Sequence, residues 1–295
     1  MRADQCVAPA SARARRPAIS AHRGGHEDAR AETYAAYDSA LAAGADYLEL
    51  DARKTGDGTL IASHRARLRR GWPGWGRPDG RWPDWGQPVS SLSYRQLCQL
   101  AGYEVPRLAQ VLPRLAGRAR LHLDVKDPGA ATEAAGLALG SLGPADVVLT
   151  TRDQEVARVL GRRFPVLQIG LAVGGDLAES ARFRAQRAGH PGLSRLDPVE
   201  AAGATWAALH HRQAAAGLAA QCRERGINTL VWTVNDDRAL ARWLACPDVD
   251  VLVTDRPAHA VALRDRRTTR AAGLDRSAQP GPPDGRTGPV LGSGH

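Results

Sequence analysis

Short apolar runs alternate with longer Ala/Leu/Arg stretches along most of this chain. The runs at 18–21, 47–51, 120–125, 146–150, 166–170, 204–209, 228–233 and 250–254 read as strands. Between them a helical period recurs at 33–43, 107–116, 130–140, 153–162, 212–225 and 236–245. Eight strands separated by helical stretches predict an α/β protein whose parallel units close into a TIM-like (β/α)8 barrel. The length of 295 residues suits one such barrel with ragged ends.

The alternation breaks after the second strand, over residues 65–103. There Trp72-Pro73-Gly74-Trp75-Gly76-Arg77-Pro78 recurs ten residues later as Trp82-Pro83-Asp84-Trp85-Gly86-Gln87-Pro88. Gly and Pro rule out a regular helix in the repeat, so a compact Trp/Gly/Pro-rich loop beside the barrel mouth is expected. Its four Trp form either their own small core or a substrate contact, and ring faces of that kind suit a choline-like cation. Residues 1–16 and 264–295 lack hydrophobic period and are expected to be disordered, leaving a barrel domain over 17–263.

Composition changes this picture little. Hydrophobic residues make up 43 % of the chain, enough for a sizeable core. The net charge of +9 first suggests a nucleic-acid partner. However, residues 1–17 (four Arg, one Asp) and 264–295 (six Arg, three Asp) each carry +3, leaving +3 for the body. Nucleic-acid binding is therefore at most an accessory property of the tails, and no obligate nucleic-acid partner is expected. The four cysteines form no CxxC pair and join no His cluster, so free thiols in a reducing cytoplasm are expected. No run is long enough for a signal peptide or a membrane span. Lys occurs only twice, at Lys54 and Lys126, against 38 Arg, which makes Lys126 conspicuous.

Barrel enzymes carry their chemistry at the C-terminal ends of the strands. His22 and Arg23 follow the first strand, Glu49 and Asp51 end the second, Asp124 and Lys126 close the third, Asn235 follows the seventh and Asp255 the eighth. Glu49-Leu50-Asp51 puts two carboxylates on one strand face, where they need a cation or a shared proton. Oxygen ligands alone favour Mg²⁺ or Ca²⁺, and Asp124 offers a third. Taken alone, such a pair is more often solvated or salt-bridged, and Lys126 could pair with Asp124 or neutralise a phosphate. His22 and His64 are candidate acid–base groups, since breaking a phosphodiester moves protons at both the attacking and the leaving oxygen. Arg23 offers a phosphate paired donors, and Gly24-Gly25 lets backbone approach it. His26 and His122 suit loop and packing roles. One of His210 and His211 could border the site, and Trp232 could line the mouth or fill a core layer.

These segments together resemble the glycerophosphodiester phosphodiesterase signature. The match runs through Ile19-Ser20-Ala21-His22-Arg23-Gly24-Gly25, Gly44-Ala45-Asp46-Tyr47-Leu48-Glu49-Leu50-Asp51, Thr55-Gly56-Asp57-Gly58 and His64. Val105-Pro106-Arg107-Leu108 is similar to the family's I-P-x-L stretch and Leu123-Asp124-Val125-Lys126 to its E-I-K strand. Val231-Trp232-Thr233-Val234-Asn235 and Thr254-Asp255-Arg256-Pro257 resemble its W-T-V-N and T-D-x-P motifs, so the likeness covers about residues 17–260. It implies a TIM-like barrel that hydrolyses small-molecule glycerophosphodiesters of lipid metabolism to glycerol phosphate and an alcohol. It further implies His22 and His64 as acid and base, one divalent cation (Mg²⁺ or Ca²⁺) on Glu49, Asp51 and Asp124, and Arg23 with Lys126 on the phosphate.

Three positions depart from that pattern. The family's E-N-T reads Ala31-Glu32-Thr33, and on a helix a one-residue shift would turn the Glu side chain by about 100°. The family's H-D reads His64-Arg65, placing a cation whose presence favours a neutral imidazole. The E of E-I-K is Asp124, one methylene shorter, which demands a closer metal or a bridging water. A lysophospholipase D-like phosphodiesterase, or a catalytically retired barrel that only binds, are the alternatives these departures leave.

Overall fold

The computed structural model describes residues 16–68, 86–174 and 194–277. Strand β1 (Ala18–Ala21) leads through a tight turn to helix α1 (Tyr34–Ala42) and strand β2 (Tyr47–Lys54). β2 folds back on the antiparallel β3 (Leu60–Ala62), and a short antiparallel pair follows, β4 (Arg67–Leu68) with β5 (Gln87–Pro88). Helices α2 (Tyr94–Ala101) and α3 (Leu108–Leu115) lead back to the sheet at β6 (Arg120–Val125). Helix α4 (Ala131–Leu142), β7 (Val147–Thr151), α5 (Gln154–Arg163) and β8 (Gln168–Val173) come next. The sheet ends with β9 (Trp206–His210), β10 (Asn228–Trp232) and β11 (Val251–Thr254). β1 pairs in parallel with both β2 and β11, so β1, β2 and β6 to β11 close into an eight-stranded parallel barrel. This is the (β/α)8 architecture that the alternating pattern predicts.

Two apolar shells hold it together. The outer shell lies between strands and helices and takes Leu48, Leu50, Leu121, Leu123 and Leu149 from the strands. Helix α4 offers it Ala131, Ala134, Ala135 and Ala138, small side chains that let a helix seat close to the sheet. The inner shell fills the barrel with Tyr47, Val148, Trp206, Ala208, Leu230, Val251 and Val253. This alternation of faces explains why strands buried on both sides read as nearly continuous apolar runs.

The segment after β2 differs from a simple loop. Its described part contains α2, started by a reciprocal capping box in which Ser93 accepts from the Gln96 amide and Gln96 reaches the Ser93 amide. Ile61, Val89, Leu92, Leu97 and Val105 form a satellite core under it. Trp72, Trp75, Trp82 and Trp85 lie outside the described residues.

Two further differences concern helices. The single helix expected over 212–225 is broken. A turn at His211–Gln213 passes into a wide turn at Ala214–Leu218, where Gly217 takes φ +96°, and a regular helix resumes only at Ala219–Glu224. Glycine's freedom at positive φ is what permits that break. The C-terminal helix runs over Pro257–Ser277, past residue 264 where composition predicts a disordered tail. Pro257 at its first position costs no hydrogen bond, because the first-turn N–H groups have no partner within the helix. Among the described residues no helix is long and apolar enough to cross a membrane, and Cys98, Cys222 and Cys246 are free thiols.

Candidate active site

The C-terminal ends of the strands converge on a cleft of about 210 Å³ lined by His22, Arg23, Glu49, His64, Asp124 and Lys126, among others. All these candidates except Asp51 line it directly, and Asp51 lies just beneath, ion-paired to Arg23, His64 and Lys126.

The turn after β1 shapes one wall. Arg23 takes φ +54°, a left-handed conformation that costs a residue with a Cβ roughly 1–2 kcal/mol. Its backbone N–H is thereby aimed at Glu49 Oε2, 2.8 Å away. Gly24 and Gly25 follow at φ +82° and +80°. A Cβ on Gly25 would stand 2.5 Å from Pro257 Cδ, so the turn seats directly on the start of the last helix.

β2 and β6 supply the acidic floor. Their register pairs Asp51 with Asp124, and Glu49 lies two residues back on the same face. One oxygen from each of Glu49, Asp51 and Asp124 falls within 4.8 Å of the others. Burial, then repulsion from Asp51, holds the Glu49 carboxyl well above its usual range. Burial works against the Asp51 charge too, but Lys126, Arg23 and His64 outweigh it and hold Asp51 well below. Lys126 Nζ lies 3.0 Å from Asp51 Oδ1 and also contacts Asp124. These carboxylates outweigh the burial that would lower it, so the Lys126 pKa is raised. Oδ1 of Asp124 remains buried without a hydrogen bond, and Oδ1 of Asp51 meets only the Lys126 ammonium. Three carboxylates share two fixed cations, and the Glu49 carboxyl is driven toward its neutral form. The all-oxygen set can therefore take up further positive charge, which is the chemistry of a hard divalent-cation site. The shorter Asp124 still reaches the cluster.

His22 is held from the far end of the chain. Its Nδ1 lies 2.6 Å from Asp255 Oδ1, and Asp255 Oδ2 accepts from Asn235 Nδ2 at 2.6 Å. Asn235 Oδ1 accepts in turn from the Asp255 amide at 2.9 Å. With Nδ1 committed to the carboxylate, Nε2 is the nitrogen free to exchange a proton. Burial and then Arg23 lower the His22 pKa, while Asp255 opposes them. Burial pushes Asp255 up, but the His22 hydrogen bond and charge bring it down to about 2.

His64 follows β3. Its Nδ1 lies 2.8 Å from Arg23 Nη2 and 3.0 Å from Asp51 Oδ2. Arg23 needs a bare nitrogen there and Asp51 needs an N–H, so the ring serves one partner at a time. The guanidinium in contact with this ring is that of Arg23. Glu32 corrects the helix-shift expectation. Helix α1 begins only at Tyr34, with Thr33 as its N-cap, so Glu32 lies in the preceding turn at φ +60°. From there its Oε1 accepts the His64 backbone N–H at 2.5 Å.

Other polar residues fall as follows. His122 is buried beneath the site, bonded to Thr150 Oγ1 at 3.0 Å and near Ser20 Oγ at 3.4 Å, and burial lowers its pKa to about 4. His26 lies 3.6 Å from Asp255. Trp232 lines the cleft, with the His210 ring edge-on at 5.3 Å. Sequence reasoning gave Asp255 and Asn235 strand-end positions without a role, and it missed what Glu32 touches. The T-D-x-P and V-N positions at matching strand ends were the available signal for Asp255 and Asn235. No local signal pairs residue 22 with residue 255.

A parallel barrel whose strand ends gather two imidazoles, a carboxylate trio and two half-buried cations in one cleft defines a barrel hydrolase acting on a phosphate ester. The sequence model of the glycerophosphoryl diester phosphodiesterase family matches residues 22–259, and the chain belongs to that family. It is a phosphodiesterase by family. Solved structures agree in fold. The glycerophosphodiester phosphodiesterase of Thermotoga maritima shares 19 % identity and a TM-score of 0.65 over 84 % of this chain and 98 % of that one. That of Agrobacterium tumefaciens shares 25 % and 0.60 over 83 % and 99 %. A phosphodiesterase of Oleispira antarctica, in complex with the product sn-glycerol-3-phosphate, shares 19 % and 0.63 over 85 % and 97 %. No curated protein matches the sequence.

Proposed function

We propose that this chain hydrolyses glycerophosphodiesters to glycerol phosphate and an alcohol. The observation that carries this reading is the convergence of His22, His64 and the Glu49/Asp51/Asp124 oxygens around one cleft in a chain of this family. The product held by the similar Oleispira antarctica phosphodiesterase supports the choice of substrate class.

Glu49, Asp51 and Asp124 would hold one divalent cation, Mg²⁺ or Ca²⁺, which supplies Lewis-acid polarisation of the phosphoryl group when bound. Arg23 and Lys126 answer the negative charge of the phosphate from the same wall, Arg23 with a planar fork of donors and Lys126 as a point charge. His22 Nε2 is set by the Asp255 contact to accept or return a proton. Neutral His22, favoured by burial, is the base-competent form. His64, in contact with the Arg23 guanidinium, takes the complementary role, its backbone fixed by Glu32. The free thiols fit a cytoplasmic setting.

The test is hydrolysis of a panel of glycerophosphodiesters and lysophospholipids with Mg²⁺ and with Ca²⁺, before and after chelation. Release of glycerol phosphate that stops in chelator, and that His22→Ala and His64→Ala each abolish, is the expected result. Full turnover in both His variants overturns the mechanism. Cleavage confined to lysophospholipids moves the assignment to a lysophospholipase D-like enzyme.

A further inference from the structure

The cleft continues beyond the carboxylates along the ends of β7, β8 and β9, and the roles proposed above leave that arm unused. Its lining there includes Thr150, Arg152, Ala172, Ala208 and Trp232. Ala172 and Ala208 are paired in register, so two methyl groups stand side by side where larger side chains would fill the mouth. Among the described residues the arm therefore has a small-residue floor.

Its walls are aromatic and cationic. The Arg152 guanidinium carbon lies 5.6 Å from the centre of the Trp232 ring, within the range where the ring face steadies a cation. Trp232 and His210 meet in a T-shaped contact, the His211 ring lies tilted 4.3 Å from that of His210, and Arg212 follows in the chain. Burial, then His211, Arg212 and Arg152, lowers the His210 pKa, which registers the positive field at this end. No acid answers it. Among the described residues no carboxylate is ion-paired with Arg152, and the adjacent Asp153 is occupied at the head of α5, accepting from the Glu155 and Val156 amides at 2.8 and 3.1 Å. The acidic residues that line the cleft, Glu49 and Asp124, belong to the opposite, metal-binding wall.

We infer that this arm is an anion subsite, in which Arg152 selects substrates whose alcohol half carries a carboxylate or a phosphate of its own. The inference rests on the glycerophosphodiesterase reading. The glycerol half of such a diester is uncharged, so the alcohol is the half that a fixed cation can discriminate. A guanidinium takes a carboxylate or phosphate through two parallel N–H bonds. A quaternary ammonium would meet a like charge at Arg152, which sets this arm against the choline-like alcohol that the Trp repeat suggests.

The experiment compares three esters with the wild-type protein, Arg152→Gln and Arg152→Glu. They are glycerophosphoglycerol with a neutral alcohol, glycerophosphoglycerate with a carboxylate, and glycerophosphocholine with a cation. Binding is measured by calorimetry in chelator, and turnover separately with the divalent cation. Wild type is expected to bind the glycerate ester about tenfold tighter than the neutral one, with the choline ester weakest. Arg152→Gln abolishes that preference while keeping the neutral ester's affinity, and Arg152→Glu inverts it. Arg152 is exposed, so the variants are expected to melt like wild type. Equal binding of the two uncharged and carboxylate esters by wild type, or an intact preference in Arg152→Gln, overturns the subsite. Binding in the expected order without cleavage of any ester overturns the reading of the function and leaves the subsite standing.

Discussion

Nδ1 of His22 and Oδ1 of Asp255 meet at 2.6 Å across 233 residues of chain. The contact exists because β1 and β11 lie side by side where the barrel closes, with Ala21 paired to Thr254. Each residue is the first beyond its strand, so closure alone brings imidazole and carboxylate together. Replacing Asp255 with Asn keeps the shape and removes the charge that selects the His22 tautomer. Turnover is expected to fall between ~10²- and ~10⁴-fold with little change in the melting temperature, as steady-state kinetics and a thermal melt will check.

The same pair sets the pH profile. Burial and Arg23 lower the His22 pKa below its ordinary 6.5, so the base-competent form is lost only as pH falls through that lowered value. The acid limb of kcat/KM is therefore expected below pH 6.5. Asp255 raises the His22 pKa, so the residual activity of Asp255→Asn should show the limb at still lower pH. Stability follows the same sign. The unfolded chain protonates His22 near 6.5 and Asp255 near 3.8, before the folded protein does, so folding weakens as pH falls toward the lowered His22 value and again from 3.8 to about 2. A limb above pH 6.5 in the wild-type protein contradicts this account.

Glu32 gives a third expectation. Its carboxylate holds the backbone of His64 and touches no reacting group. Glu32→Gln retains an acceptor and should keep most of the activity. Glu32→Ala leaves the His64 N–H without that partner, costing about 1–2 kcal/mol in urea unfolding, and should lower kcat more than it raises KM.

Lys126 stands between Asp51 and Asp124 as the cation of the acidic floor. Lys126→Met takes the cation from half-buried Asp124 and leaves Asp51 with Arg23 and His64, which costs about 1–3 kcal/mol. The chelated variant should therefore melt well below wild type, and adding Mg²⁺ or Ca²⁺ should restore more stability to it than to wild type. Asp51→Asn should remove the calorimetric signal of cation binding. A variant that melts like wild type in chelator places the Lys126 ammonium outside the electrostatics of the floor.

The barrel was legible because strands buried on both faces have few alternatives to apolar side chains. All eight barrel strands begin within two residues of their expected starts, and β1, β2, β6 and β10 begin at the same residue as their runs. Elements marked by subtler signals were less visible. Helix α2 hides behind a Gly/Pro-rich repeat, although Ser93 and Gln96 with Leu97 after them spell its start. The break in the helix after β9 turns on the single residue Gly217.

The sequence by itself determined the parallel barrel and the strand ends on which chemistry would stand. Both follow from local rules, a period of two along a strand and an apolar face for each element. Tertiary structure alone decided which of those residues meet. It set Asp255 against His22, brought Glu32 from a turn to the His64 backbone, and opened an arm lined by Arg152 over two alanines. Such contacts depend on barrel closure, strand register and a left-handed turn at Arg23, geometric quantities that the identities of neighbouring residues along the chain do not encode.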